Sequence, residues 1–152
     1  MKVHVLDADL HFPPVNVAGA HGLLAVGGDL SSARLLAAYE HGAFPWFMDE
    51  DPILWWAPPE RAVLPVLELK VSKSMRNELN RKRYRITLDR AFEEVVRGCQ
   101  HAPRDGEGTW ITDDIVQAYV NLHDLGLAHS VEAWDGDNLV GGLYGVSLGR
   151  MF

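Results

Sequence analysis

A single cysteine, Cys99, serves the whole 152-residue chain, so no internal disulfide can form and a reducing compartment, the cytosol, is the expected setting. Cys99 falls at helical spacing with Phe92, Val95 and Val96, the place of a small core hydrophobe rather than of a nucleophile. Nowhere do eighteen apolar residues run together, and the start, MKVHVLDADLHFPP, lacks the charged-then-apolar order of a signal peptide. A membrane span and a secretory leader are therefore both unexpected. The seven histidines show neither HExxH nor another ligand spacing, so no metal site is expected. Gly27-Gly28 is followed by no GKS/T and no GxGxxG, which argues against a phosphate cradle.

What the chain does have is an aromatic stretch from Gly42 to Pro59, GAFPWFMDEDPILWWAPP. It holds three of the five Trp, two of the five Phe and four of the eight Pro. Proline pins φ and withholds a donor, so this stretch is expected to form a rigid, irregular aromatic wall rather than a helix or a central strand. Such a wall suits flat ligand groups, though a satellite core cluster under a loop would use the same residues. The acidic insert Met48-Asp49-Glu50-Asp51 divides the wall into two halves.

The composition is globular, 47% apolar, with a net charge of −7. Its charge is unevenly spread. Lys70, Lys73, Arg76, Arg81, Lys82, Arg83 and Arg85 stand close together against Glu78 alone. A local basic patch on an acidic chain points to a localised anionic partner, and a solvated helix face explains the same run.

Taken in order, Val3 to Leu6 reads as an edge strand, and Ser31 caps a helix of about ten residues that Gly42 ends in a left-handed cap. A short strand is expected at Ala62 to Leu64. Ser72 or Ser74 then caps a surface helix whose apolar pair is Met75 and Leu79. Tyr84 to Leu88 alternates as a strand, Asp89 is placed to cap a helix from Arg90 to Gln100, and a polar loop covers His101 to Gly108. Thr112 caps the next helix, with Asp113 and Asp114 in its first turn, a buried stripe of Ile115, Tyr119 and Leu122, and Gly126 as its stop. Ala128 to Trp134 and Leu139 to Leu148 form a hairpin about Asp135-Gly136. Its second strand carries Gly141, Gly142 and Gly145, which weakens it unless something approaches the backbone closely, a ligand being one candidate. The apolar end Met151-Phe152 leads us to expect a longer protein of which this is a part.

The segments GLLAVGGDLSSARLLAAYEHGAFPWF, DPILWWAPPERAVL, GTWIT with the following AY, LGLAHSVEAW and LVGGLYGV stand in this order from Gly22 to Val146. Together they resemble the bacterial leucyl/phenylalanyl-tRNA–protein transferase family. The resemblance implies an α+β fold: a small N-terminal α/β lobe over residues 1–61, then an incomplete GNAT-like acyltransferase lobe over residues 62–152. It implies transfer of Leu or Phe, and weakly Met, from aminoacyl-tRNA to the α-amino group of proteins beginning with Lys or Arg, marking them for degradation. Neither cofactor nor metal is implied, and a cytoplasmic monomer is expected.

Residue by residue, the family's FPWF tryptophan falls on Trp46 and its GTWI tryptophan on Trp110, a pair that the resemblance sets around the 3′-terminal adenosine. The pocket for the amino-acid side chain has one wall at Leu143, where the family often has Met, and another at Phe152. The run containing Lys73, Arg76, Arg81, Lys82 and Arg83 lies where the family meets acceptor-stem phosphates, a salt-sensitive contact blind to sequence. An aminoacyl ester is already activated, so the enzyme has to place a neutral amine, accept its proton and steady the oxyanion. The family's groups for that task are expected beyond Phe152, the catalytic base is unknown, and this chain alone is expected to be inactive. Two rivals use the same features. One is a non-catalytic RNA-end or peptide-binding module. The other is a small-molecule acetyltransferase, against which the missing R/Q-x-x-G-x-G/A string argues unless that loop too lies past the end.

Overall fold

The structure, a computed structural model, describes residues 3–104 and 108–152. Its first sheet contains β1 (His4–Leu6), β2 (Leu23–Gly27), β3 (Phe44–Pro45) and β4 (Leu54–Trp56) in the order β1-β2-β4-β3. β1 is parallel to β2 and the other pairings are antiparallel. Between β2 and β3 runs helix α1 (Ser32–Glu40), started by the Ser31 hydroxyl accepting from Arg34 N and ended where Gly42 takes a φ of 80°. β4 corrects the expectation of an irregular wall, because Trp55-Trp56 is an inner strand. The prolines fall outside it, Pro52 before, Pro58 and Pro59 after, while Pro45 sits on the edge strand where no ladder donor is missed.

The second sheet has the order β5 (Arg85–Leu88), β6 (Ala128–Asp135), β7 (Asn138–Val146), antiparallel throughout. Between the sheets in sequence lies α2 (Lys73–Arg81), capped by Ser72. Helices α3 (Phe92–His101) and α4 (Asp113–Asp124) cover one face of the second sheet, α4 starting at the Thr112 hydroxyl and stopping before Gly126. The fold is thus α+β, and one continuous apolar core draws Leu24, Leu35 and Trp55 from the first half and Phe92, Val96, Ile115 and Leu122 from the second. Among the described residues no helix is long and apolar enough to cross a membrane.

The expected strand at Ala62 to Leu64 does not form. Val63 and Leu64 are exposed, Pro65 follows, and a single 3-10 turn at Val66–Glu68 leads to α2. Three apolar residues ahead of a proline find no strand to pair with. None of the α2 residues is buried, and Leu67 is 100% exposed, so residues 62–83 form a basic and apolar segment that lies almost wholly at the surface. The expected loop at His101 to Gly108 lies partly outside the described residues, and His101 itself is the last residue of α3.

Asp89 does not cap α3 either. The cap position is Ala91, whose side chain makes no cap bond, and Asp89 has a left-handed φ of 55°. Its carboxylate instead accepts from Ser130 N at 2.8 Å and meets His129 Nδ1 at 2.8 Å. Burial opposes its charge, yet these bonds hold the carboxyl below the usual range.

The segment leading into α3 is held instead by Glu132, fully buried on β6. It accepts from Ser130 Oγ at 2.5 Å, from Thr87 Oγ1, and from Arg90 N at 3.3 Å. Burial pushes the carboxyl up, and these donors, with the Ala91 amide, outweigh it and bring it below its ordinary value. A lowered native value means stability that is present above the unfolded carboxyl's pKa and lost as pH falls through the native one. Glu132→Ala, which strands several buried donors, should destabilise by about 3 kcal/mol at neutral pH. Urea denaturation from neutral to acid pH should show the wild type converging on Glu132→Gln as it loses this contribution.

Candidate functional site

After α1 the chain enters β3 with its side chains alternating: Pro45 and Phe47 go inward, and Trp46 stays 52% exposed. Trp46 N donates to Leu54 O at 3.0 Å. The Trp56 indole Nε1 donates to Trp46 O at 2.7 Å, and the two rings lie 6.0 Å apart, tilted by 54°. At the other end of this segment the Arg61 guanidinium lies 5.3 Å from the Phe44 ring centre and donates to Gly42 O, a cation–π contact and a charged hydrogen bond on the same turn. Trp55, the remaining tryptophan of the stretch, is entirely core, with Nε1 donating to Gly27 O at 2.9 Å and an edge-on contact to Phe12 at 5.1 Å. The aromatic wall is therefore divided, with the Trp55 indole inside, Trp56 partly buried and Trp46 exposed.

The acidic insert closes on itself: Asp51 N donates to Met48 O at 2.9 Å, and Met48 N to Asp51 Oδ2 at 3.2 Å. This turn touches the segment that carries the other proposed tryptophan. A Cβ added at Gly108, where φ is 83°, would lie 2.5 Å from Met48 Cε. Two residues on, Trp110 is partly buried against the core, just before the Thr112 cap of α4. The loops of Trp46 and Trp110 thus meet through Met48 and Gly108.

Leu143 and Phe152 are also brought to one face. Leu148 and Met151 exchange backbone bonds at 3.0 and 3.1 Å around Gly149, which turns the chain back. The Phe152 ring then lies so close over Gly145 that a Cβ there would be 3.0 Å from it. Gly145 and Leu143 are two apart on β7 and share a face. Both Leu143, at 59%, and Phe152, at 63%, are exposed. The opposite face of β7 turns to α3, where a Cβ at Gly142 would come within 2.7 Å of the Val95 methyls. Gly142 and Gly145 thus make room for a helix side chain and for Phe152.

On and after α2, Arg81 pairs with Glu78 at 2.9 Å and Arg83 with Asp135 at 3.3 Å. Among the described residues Lys73, Arg76 and Lys82 enter no ion pair, and all five basic side chains are at the surface. Exposed pairs of this kind contribute little to stability. A cavity of about 530 Å³ lined by Val15, Ala57, Pro58 and Arg61 contains none of Trp46, Trp110, Leu143 or Phe152. Among the described residues no group of three His, Cys, Asp or Glu side chains is placed to hold a metal ion. Burial raises the Cys99 thiol, which suits a packed side chain.

Spacing alone missed three contacts. Trp56 braces Trp46, and Arg61 braces Phe44. The third joins the two halves: the Tyr39 hydroxyl on α1 bonds the Tyr119 hydroxyl on α4. Tyr119 is buried and meets Tyr144 edge-on at 5.8 Å. Burial, and then the neighbouring Tyr39, push the Tyr119 hydroxyl well above the ordinary tyrosine range, so both groups stay protonated.

Residues 63–152 match the family described as leucyl/phenylalanyl-tRNA protein transferase, and residues 28–59 match that family's N-terminal domain. The α+β chain thus falls in a class of transferases named for a tRNA and a protein. Similar proteins carry the same description: leucyl/phenylalanyl-tRNA–protein transferases of Syntrophotalea carbinolica, 55% identical over 100% of this chain, of Anaeromyxobacter sp. strain Fw109-5, 54% over 100%, and of Tolumonas auensis, 53% over 97%. The chain belongs to the leucyl/phenylalanyl-tRNA–protein transferase family. It spans 66, 65 and 64% of the length of these three relatives.

Each of Tyr39→Phe and Tyr119→Phe should destabilise by about 1–2 kcal/mol, since each leaves one buried hydroxyl unpaired. The double substitution should cost less than the sum, a coupling that urea denaturation of the four proteins will read.

Proposed function

We propose that these residues hold the aminoacylated end of a tRNA in an enzyme that moves Leu or Phe, and weakly Met, to the α-amino group of proteins beginning with Arg or Lys. In this reading Trp46 and Trp110 stack on the terminal adenosine, and Leu143 and Phe152 flank the amino-acid side chain. Lys73, Arg76, Arg81, Lys82 and Arg83 meet the acceptor-stem phosphates. The observation that carries the reading is the half-exposed Trp46 indole, fixed by two backbone contacts on a loop that touches the Trp110 segment. A base offers any such indole a π-face, and stacking contributes roughly 1–3 kcal/mol without sequence readout. The enzyme works as a cytoplasmic monomer in the marking of proteins for degradation, and the transfer step is proposed for a protein of the relatives' full length.

A pocket made by Leu143 and Phe152 is open and apolar, so it distinguishes Leu, Phe and Met by only a few kcal/mol. Leu in place of Met keeps the volume and loses pliability. The division of labour predicts two kinds of variant. Trp46→Ala or Trp110→Ala should weaken binding of a non-hydrolysable phenylalanyl-adenosine amide by about 5- to 100-fold, as fluorescence titration would show. Lys73→Gln, Arg76→Gln and Lys82→Gln together should instead weaken a charged acceptor-stem RNA and flatten its salt dependence by about one unit of slope for each phosphate left without its cation. Unchanged adenosine affinity in both tryptophan variants would refute the proposal.

A further inference from the structure

We propose that Trp56 is a positioning residue of this site: its indole N–H and ring hold Trp46 in the exposed pose in which it can take a base. The inference rests on the adenosine reading above and adds to it the group that sets the geometry of the stack.

A half-exposed tryptophan on a loop is free to fold its ring down onto neighbouring apolar surface, and apolar area drives it to do so. Three features resist that here. The Trp46 amide is tied to Leu54 O at 3.0 Å, so the residue continues the ladder of β3 and β4. The Trp56 N–H occupies the Trp46 carbonyl at 2.7 Å, which fixes the peptide plane following the side chain. The Trp56 ring then stands 6.0 Å from the Trp46 ring at 54°, a tilted aromatic contact that closes one side of the Trp46 ring. Trp56 can do this because strand alternation places it opposite to Trp55: the buried Trp55 anchors β4 in the core and leaves Trp56 on the outer side. A binding group held ready in its bound pose avoids the ordering cost of association, so the brace should appear in affinity for the stacked base and not in contacts to the phosphates.

Trp56→Phe keeps an aromatic ring and removes the donor, and benzothienylalanine at position 56 keeps the bicyclic shape without the N–H. With the 152-residue chain, each should weaken the phenylalanyl-adenosine amide about fivefold. Affinity for an acceptor-stem duplex lacking the terminal adenosine should be unchanged, and the near-ultraviolet circular dichroism of the indole pair should alter. Wild-type affinity for the amide in both variants, with Trp46→Ala still weakening it, would overturn the role of Trp56 alone. Equal losses for the amide and the bare duplex would also overturn it, since that is the mark of a general structural defect. No loss in Trp46→Ala would overturn the adenosine reading and this inference with it.

Discussion

The surface of the first sheet depends on the indole of Trp55 lying inside. Burying a tryptophan removes some 150–250 Å² from water, roughly 4–6 kcal/mol before entropy is counted, and the N–H that would be stranded there is met by the Gly27 carbonyl. That burial sets the register of β4, and a strand has period two. With Trp55 fixed inward, Leu54 and Trp56 must point the other way. The partly buried Trp56 therefore stands on the outer side of a strand whose inner side is anchored, which gives the half-exposed Trp46 beside it a rigid base.

A second constraint acts between the two halves. The loop bearing Trp46 follows β3 of the first sheet and the loop bearing Trp110 joins α3 to α4, and what holds them together is packing at Met48 and Gly108, the tyrosine bond between α1 and α4, and a shared core. In the second sheet, Glu132 performs a corresponding task by joining β5, β6 and the start of α3 through one carboxylate. Both devices are buried polar contacts with their partners supplied, so they add direction to a core that burial alone would leave less specified.

Local chemistry was legible in the sequence wherever it decides the outcome alone. The hydroxyl caps at Ser31 and Thr112 stand where residue type and spacing put them, and Ser72 is the one of two candidate serines that caps α2; the glycines ending α1 and α4 and the alternation of the last hairpin are likewise where expected. Sequence reading fails where a distant group decides. Asp89 has the chemistry of a cap, yet Ala91 holds the cap position and Asp89 turns to His129, while the amide of Arg90 just ahead of α3 is met by Glu132, some forty positions later. Ala62 to Leu64 has the composition of a strand and no neighbour to complete one. The density of prolines around Trp55-Trp56 argues against an inner strand, although none of them occupies it. For the site, a resemblance of motifs could supply residues but no distances, and the braces at Trp56 and Arg61 emerge only when side chains far apart in the chain are set beside each other.

The seamless core also governs how the molecule would register an occupant. A guest touching only the first sheet or only the second would still be felt by both, because neither can loosen without exposing side chains of the other. Occupancy near Trp46 should therefore tighten the whole molecule as one cooperative unit, and amides as remote as those of β7 should exchange with solvent more slowly once it is there.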